Sequence, residues 1–175
     1  MMSEQMINNA YWVIRGRLLA GEYPGDLDEV ITRSRLRWLL RQGITLFLDL
    51  TEADEPGLVP YTQFLLEEAS FLGVPAAHVR IPTPDFNTPT SEEMMKILNT
   101  LDRILKSGQH VYLHCHGGIG RTGTVVGCYL RRYGTEGQEA LDQIDRWRAE
   151  TPYGYRSSPE TEEQKTFVLN WRQGE

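Results

Sequence analysis

QHVYLHCHGGIGRTGT, residues 109–124, passes from a short apolar run into four glycines spaced around an arginine. The first six residues read as a strand and the chain from Arg121 to Tyr133 as a helix, so the glycines form a strand-to-helix loop. Within that loop Cys115 and Arg121 are separated by five residues, three of them glycine: Gly117, Gly118 and Gly120. Three chemistries compete for such a segment: a metal site, a redox thiol, or a nucleophile in a phosphate cradle. A metal site fails on direction. His114, Cys115 and His116 are consecutive, neighbouring strand side chains point to opposite faces, and no second cluster at ligand spacing exists. A redox pair fails on spacing. There is no C-x-x-C, and Cys128 lies about two turns into the helix, where a small buried apolar role suits it. The cradle accounts for every element. Glycine lets successive N–H groups turn inward, the helix start adds its positive end, and a guanidinium clamps two phosphate oxygens. The same positive charge favours the thiolate of Cys115.

Working outward, helices and strands alternate. RLLAGEYPG reads as a strand entering a turn. LDEVITRSRLRWLLRQG reads as an amphipathic helix with Leu27, Val30, Ile31, Leu36, Leu39 and Leu40 on its buried side, ended by Gly43. ITLFLDL is a compact apolar run typical of a strand covered on both faces. YTQFLLEEASFLG is the next helix and AAHVRI the next strand. A proline-rich loop, PTPDFNTP, precedes TSEEMMKILNTLDRILKSG, where Thr90 and Glu93 have capping-box spacing. Two further helices are expected over EGQEALDQIDRWRAE and PETEEQKTFVLNW. The pattern is α/β: a central, largely parallel sheet flanked by helices, with the phosphate-binding loop between a strand and a helix beyond a carboxyl end of the sheet.

Length and composition fit this. The 175 residues suit one domain, 1–175, and 40% hydrophobic with 24% charged residues suits a globular chain. A net charge of −6 argues against general nucleic-acid binding. No apolar run is long enough to cross a bilayer, and MMSEQMINNAYWVIRG has no secretory pattern, so no membrane partner is expected. Two cysteines exclude a disulfide framework and make a reducing cytoplasm the default. The arginines of RSRLRWLLR are the solvated face of a helix or a docking patch for an acidic partner.

HCHGGIGRTG resembles the active-site loop of cysteine-dependent protein tyrosine and dual-specificity phosphatases, through His114, Cys115, the glycines, Arg121 and Thr122. The short chain and the lack of a separate phosphotyrosine-recognition loop are more similar to the compact dual-specificity branch, and the late position of the loop argues against a resemblance to low-molecular-weight phosphatases and arsenate reductases. The resemblance implies that Cys115 attacks phosphorus and forms a phosphocysteine. Arg121 holds the equatorial oxygens, and the amides of His116, Gly117, Gly118, Ile119, Gly120 and Arg121 complete the cradle. Thr122 hydrogen-bonds the sulfur, and His114 orders the loop from behind. His116 departs from the small or polar residues usual there; its side chain either touches substrate at the rim or faces solvent. The leaving oxygen needs a proton. The resemblance assigns it to Asp85, thirty residues before Cys115, with Asp54 and Glu55 as runners-up and a local turn with Asn87 as the plain alternative. Where the tyrosine-specific branch has a tryptophan, this chain has Thr83. Gln164, in SPETEEQKTFV, matches a glutamine that orients the hydrolytic water; otherwise it is one polar residue of an amphipathic helix. YGYRSSP either lines the cleft mouth or is a surface loop.

These readings imply a phosphomonoesterase needing no cofactor and no metal, acting on phosphorylated protein. The oligomeric state is unspecified. An exposed thiolate is also open to reversible oxidation by peroxide. A phosphoinositide phosphatase is the nearest alternative, although lysines typical of such loops are replaced by His116 and Ile119. RNA 5′-phosphatase activity is disfavoured by the acidic charge. A non-catalytic phosphopeptide-binding module is the alternative of another class, yet Cys115, Arg121 and Asp85 are all present.

Overall fold

The computed structural model describes residues 7–175, so the first six residues of the N-terminal segment read for a secretory signal lie outside the described residues. Five strands form one sheet in the order β1-β2-β5-β3-β4: β1 Ala10–Ile14, β2 Leu18–Gly21, β3 Leu46–Asp49, β4 Ala77–Arg80 and β5 Val111–His114. β1 pairs antiparallel with β2, and the other pairings are parallel. The sheet is therefore largely parallel, as expected. The edge strand β1 carries no strand in the sequence reading, and it is held as a hairpin through Gly16 at φ +73°.

Helices cover both faces: α1 Glu29–Arg41, α2 Thr62–Leu72, α3 Ser91–Lys106, α4 Gly120–Arg132, α5 Gly137–Arg148 and α6 Glu162–Asn170. Side chains alternate along a strand, and two cores result. Leu18, Ala20, Leu46, Leu48, Val111 and Leu113 pack with residues of α3, α4, α5 and α6. Leu19, Phe47 and Tyr112, the intervening positions, pack with Leu36, Leu39, Leu65 and Ala69 of α1 and α2. This two-sided burial is why ITLFLDL reads as a continuous apolar run. The Thr90–Glu93 capping box is present at the start of α3.

Two expectations for α1 need correcting. Leu27 precedes the helix and is 92% exposed, and Val30 is 65% exposed. Asp28 caps the helix by accepting from Val30 N, which turns the first residues outward; burial falls instead on Thr32, Leu36, Leu39 and Leu40. The arginines of this helix are engaged within the chain. Arg33 contacts Glu29, Glu67 and Glu68, Arg37 also contacts Glu68, and Arg35 contacts Asp26, so α1 is tied to α2. These contacts oppose the docking-patch reading.

The register aligns Gly21, His114 and Asp49 across the carboxyl ends of β2, β5 and β3, with Arg80 next to Asp49 on β4. The glycine loop leaves the sheet from this row.

Candidate active site

Residues 115–119 join β5 to α4 as the expected strand-to-helix loop. Gly118 has φ +71°, and a Cβ there would lie 2.4 Å from Gly21 C and 2.6 Å from Glu22 N. Only glycine fits against the end of β2. Tyr23 N donates to His116 O at 2.8 Å, and the Asn9 amide donates to Gly117 O. From the other side Ser158 Oγ donates to Ile119 O at 2.6 Å. No side chain caps α4, so its first-turn N–H groups retain the capacity to meet an anion.

Cys115 is almost fully buried and lines a pocket of about 220 Å³ together with Asp85, Phe86, His116, Gly117, Ile119, Gly120, Arg156 and Glu160. Residues 85 and 115 thus meet in space. The Asp85 side chain is 41% exposed, and its Oδ1 lies 3.0 Å from Arg121 Nη2. The Asp85 loop also makes a local turn: Asn87 Nδ2 donates to Asp85 O and Asn87 N to Pro84 O. The local turn with Asn87 is thus present, and Asp85 also lines the Cys115 pocket.

Arg121 is buried and pairs with Glu55 through both terminal nitrogens, each at 2.7 Å. Nη1 also donates to Thr83 O at 3.0 Å, which places Thr83 behind the guanidinium. Arg121 Nε is buried without a hydrogen-bond partner, as is Thr122 Oγ1. The expected Thr122–sulfur bond is therefore not formed. Burial alone would raise the Glu55 pKa, but its bonds to Arg121 outweigh this and hold the carboxyl below the usual range.

His114 and His116 differ in their surroundings, the first buried and the second half-exposed. His114 is fully buried; its Nε2 lies 2.6 Å from Tyr61 Oη and its Nδ1 3.2 Å from Cys115 O. A carbonyl can only accept, so Nδ1 carries the proton and Nε2 accepts from Tyr61. Burial pushes the His114 pKa down to about 4, against the opposing field of Asp49, so the ring is neutral. His116 is half-exposed at the pocket wall, 3.8 Å from Glu55. Glu55, Asp85 and His116 bring possible ligand atoms within 4.8 Å of one another, but Arg121 already bridges the two carboxylates.

Gln164 is fully buried beside the loop. Its Oε1 accepts from Glu160 N and Thr161 N, closing a capping box on α6, and its Nε2 donates to Asn87 O at 3.2 Å. A Cβ on Gly120 would stand 3.0 Å from its Oε1. Gln164 therefore links the Asp85 loop to the cradle. Cys128 is buried, and burial pushes its thiol pKa up, consistent with a packing role.

The sequence reading missed Asn9 and undervalued Glu55. Nothing marks Asn9 locally, because its partner is distant in the chain. Glu55 stands among the acids of TEADEPG, and only the fold turns it toward Arg121.

A family model described as "Polymorphic toxin system, DSP-PTPase phosphatase" matches residues 27–135. The chain belongs to this phosphatase family. The chain is 28% identical over 128 residues to the putative tyrosine phosphatase 067L of Invertebrate iridescent virus 3, covering 71% of this chain and 46% of that protein. It spans about half the length of the curated relatives it matches. Among solved structures it is similar to Tk-PTP in its active form, with 28% identity, a TM-score of 0.65, and coverage of 91% and 93% of the two chains. It also shares its fold with kinase associated phosphatase, at a TM-score of 0.70, 19% identity, and coverage of 95% and 94%. The phosphatase fold is thus the α/β arrangement expected. No helix among the described residues is long and apolar enough to cross a membrane.

Proposed function

We propose that the phosphatase hydrolyses phosphomonoesters on proteins, phosphotyrosine foremost and phosphoserine or phosphothreonine as well, without a metal or cofactor. The observation that carries this reading is the meeting of Cys115 and Asp85, thirty residues apart, at one pocket, with Arg121 3.0 Å from the Asp85 carboxylate. Nucleophile, proton donor and oxyanion clamp are the three parts phosphoryl transfer needs.

In this reading the cradle N–H groups and Arg121 bind the phosphate oxygens. The unpartnered Arg121 Nε–H supports this, since a buried orphan donor is costly unless something meets it. Cys115 Sγ attacks phosphorus and the bond from phosphorus to the leaving oxygen breaks. Asp85 acts as the acid that gives that oxygen its proton. Asp85 then takes a proton from a water that attacks the phosphocysteine, the S–P bond breaks, and inorganic phosphate leaves. Thr122 turns its free hydroxyl to the departing sulfur, and Gln164 uses its remaining amide hydrogen to orient the water. His114 acts behind Cys115 by fixing its carbonyl. A free cysteine of this kind suits a reducing compartment such as the cytoplasm.

The test is phosphate release in EDTA from phosphotyrosine peptides, phosphothreonine peptides and phosphoinositides, with Cys115→Ser as blank. Peptide turnover lost in Cys115→Ser is expected. Turnover of lipid alone would transfer the substrate to inositol phosphates. Tight phosphopeptide binding without turnover would replace the enzyme by a binding module.

A further inference from the structure

The backbone amides of residues 116–119 donate to no group among the described residues, while carbonyls of the same loop are held from outside. His116 O accepts from Tyr23 N, Gly117 O from the Asn9 side-chain amide, and Ile119 O from Ser158 Oγ. A trans peptide points its C=O and the following N–H in opposite directions. A carbonyl drawn outward therefore turns the next amide inward. The peptide between Gly117 and Gly118 depends most on such a hold, because glycine flanks it on both sides and restricts it least. Gly118 is left-handed, at φ +71°, the conformation that lets neighbouring amides converge on an anion.

Asn9 is built into place for this contact. It lies one residue before β1 and is 1% exposed. Glu22 N donates to Asn9 O at 3.0 Å, and Asn9 N donates to Glu22 Oε1 at 3.4 Å. A Cβ on Gly21 would stand 2.7 Å from Asn9 O, and a Cβ on Gly118 would stand 2.6 Å from Gly21 O. Glycine at both positions lets the end of β2 touch the loop, and the Asn9 side chain spans that junction. Gly117 O can only accept, so Nδ2 faces it. Asn9 Oδ1 is then buried without a partner. An unpaired buried acceptor is destabilising. Asn9 is therefore a poor choice for holding the fold together, and its one side-chain bond goes to the loop.

The structure assigns Asn9 as a positioning residue: it holds the Gly117–Gly118 peptide so that the Gly118 N–H faces the phosphate bound in the loop. This rests on the phosphatase reading of the Cys115 pocket. Without Asn9 the peptide turns over in part of the molecules and sets a carbonyl oxygen against the phosphate. Substrate binding and transition-state stabilisation both weaken.

Asn9→Leu tests this, because leucine keeps the approximate shape and brings neither a donor nor a charge. Asn9→Ala is the second variant and needs no room for a branched side chain. Release of phosphate from a simple aryl phosphate gives kcat and KM per folded molecule. Amide proton shifts at saturating inorganic phosphate read Gly118 and Gly120 separately. In the variants kcat/KM falls by about tenfold to a hundredfold, up to the worth of one oxyanion donor, with kcat reduced as well as KM raised. Phosphate moves both amide protons downfield in the wild type. In the variants the Gly118 displacement is at least halved, while Gly120, whose preceding carbonyl is held by Ser158, keeps its own. A Gly118 displacement equal to that of the wild type in either folded variant overturns the proposal. So does a loss shared equally by Gly118 and Gly120, the pattern of a loop that has merely loosened. Failure of the underlying reading looks different: the wild type itself would hydrolyse no aryl phosphate.

Discussion

Arg121 and Glu55 form a buried, two-pronged ion pair, with each terminal guanidinium nitrogen 2.7 Å from a carboxylate oxygen. The pair occupies the far end of the guanidinium and leaves the Nε edge without a protein partner. In the mechanism proposed above, Glu55 thereby holds Arg121 for an anion bound in the loop. Glu55→Gln keeps the shape and removes the charge. A fall in kcat/KM of about tenfold or more is expected, with a stability loss of about 2 kcal/mol because Thr83 O and Asp85 still hold the cation. Parallel kinetics and chemical denaturation check this; unaltered kcat/KM would remove Glu55 from the positioning of Arg121.

Gly118 should tolerate no side chain, whereas its neighbour should. Gly118→Ala forces a Cβ to 2.4 Å from backbone at a positive φ, so the loop or the end of β2 must shift. A loss of at least ~2 kcal/mol and of turnover is expected. At Gly117 a Cβ meets nothing closer than 4.0 Å, and Gly117→Ala should change stability by less than about 0.5 kcal/mol. Thermal melting of the two variants makes the comparison.

Stability should fall as pH drops from about 6.5 to about 4 because of His114. Its folded pKa is about 4, pushed down by burial, while the unfolded value is near 6.5. In that window the unfolded chain binds the extra proton and the folded chain does not, so lowering the pH favours unfolding, by up to about 3 kcal/mol. Urea denaturation at pH 7 and pH 4.5 measures the slope. His114→Asn should flatten it.

Asp49 should act at lower pH. It is fully buried; burial opposes its charge, but bonds from His78 and Thr51 and the field of His114 more than offset this, and Arg80 also donates to it. Its carboxyl therefore titrates well below the usual range. The stability it supplies is complete above the unfolded carboxylate pKa, near 3.9, and is lost as pH falls toward the lower folded value. Asp49→Asn should cost about 3 kcal/mol at pH 7, and the gap to wild type should narrow below about pH 4. A gap that stays constant from pH 7 to pH 2.5 would contradict this.

Removing the Tyr61 hydroxyl leaves His114 Nε2 buried without a donor. Tyr61→Phe should destabilise the chain by about 1–2 kcal/mol. Amide exchange of residues 114–121 should rise with it, because the ring that holds Cys115 O loses its anchor.

Particular residues show where the sequence was readable. ITLFLDL was legible because two-sided burial leaves no polar position to confuse. The α3 capping box was legible because it is a local bond between Thr90 and Glu93. AYWVI was not legible as β1, because only Tyr11 of its five residues is buried and its pairing depends on a partner strand. Leu27 and Val30 misled because periodicity marks a face without saying where a cap such as Asp28 begins the helix.

The strand–loop–helix at residues 109–133, the cysteine and arginine within it, and the α/β alternation around it were readable from the residues alone. These follow from short-range chemistry: glycine freedom, apolar runs and helix capping. Only the tertiary structure decided that Glu55 rather than a phosphate oxygen holds the outer edge of Arg121. It likewise decided that Asp85 meets Cys115 across one pocket and that Asn9 closes the loop. Each of those contacts joins residues whose side chains carry no mutual mark in the sequence. They meet because parallel strands bring their carboxyl ends, and the loops that follow them, to one edge of the sheet.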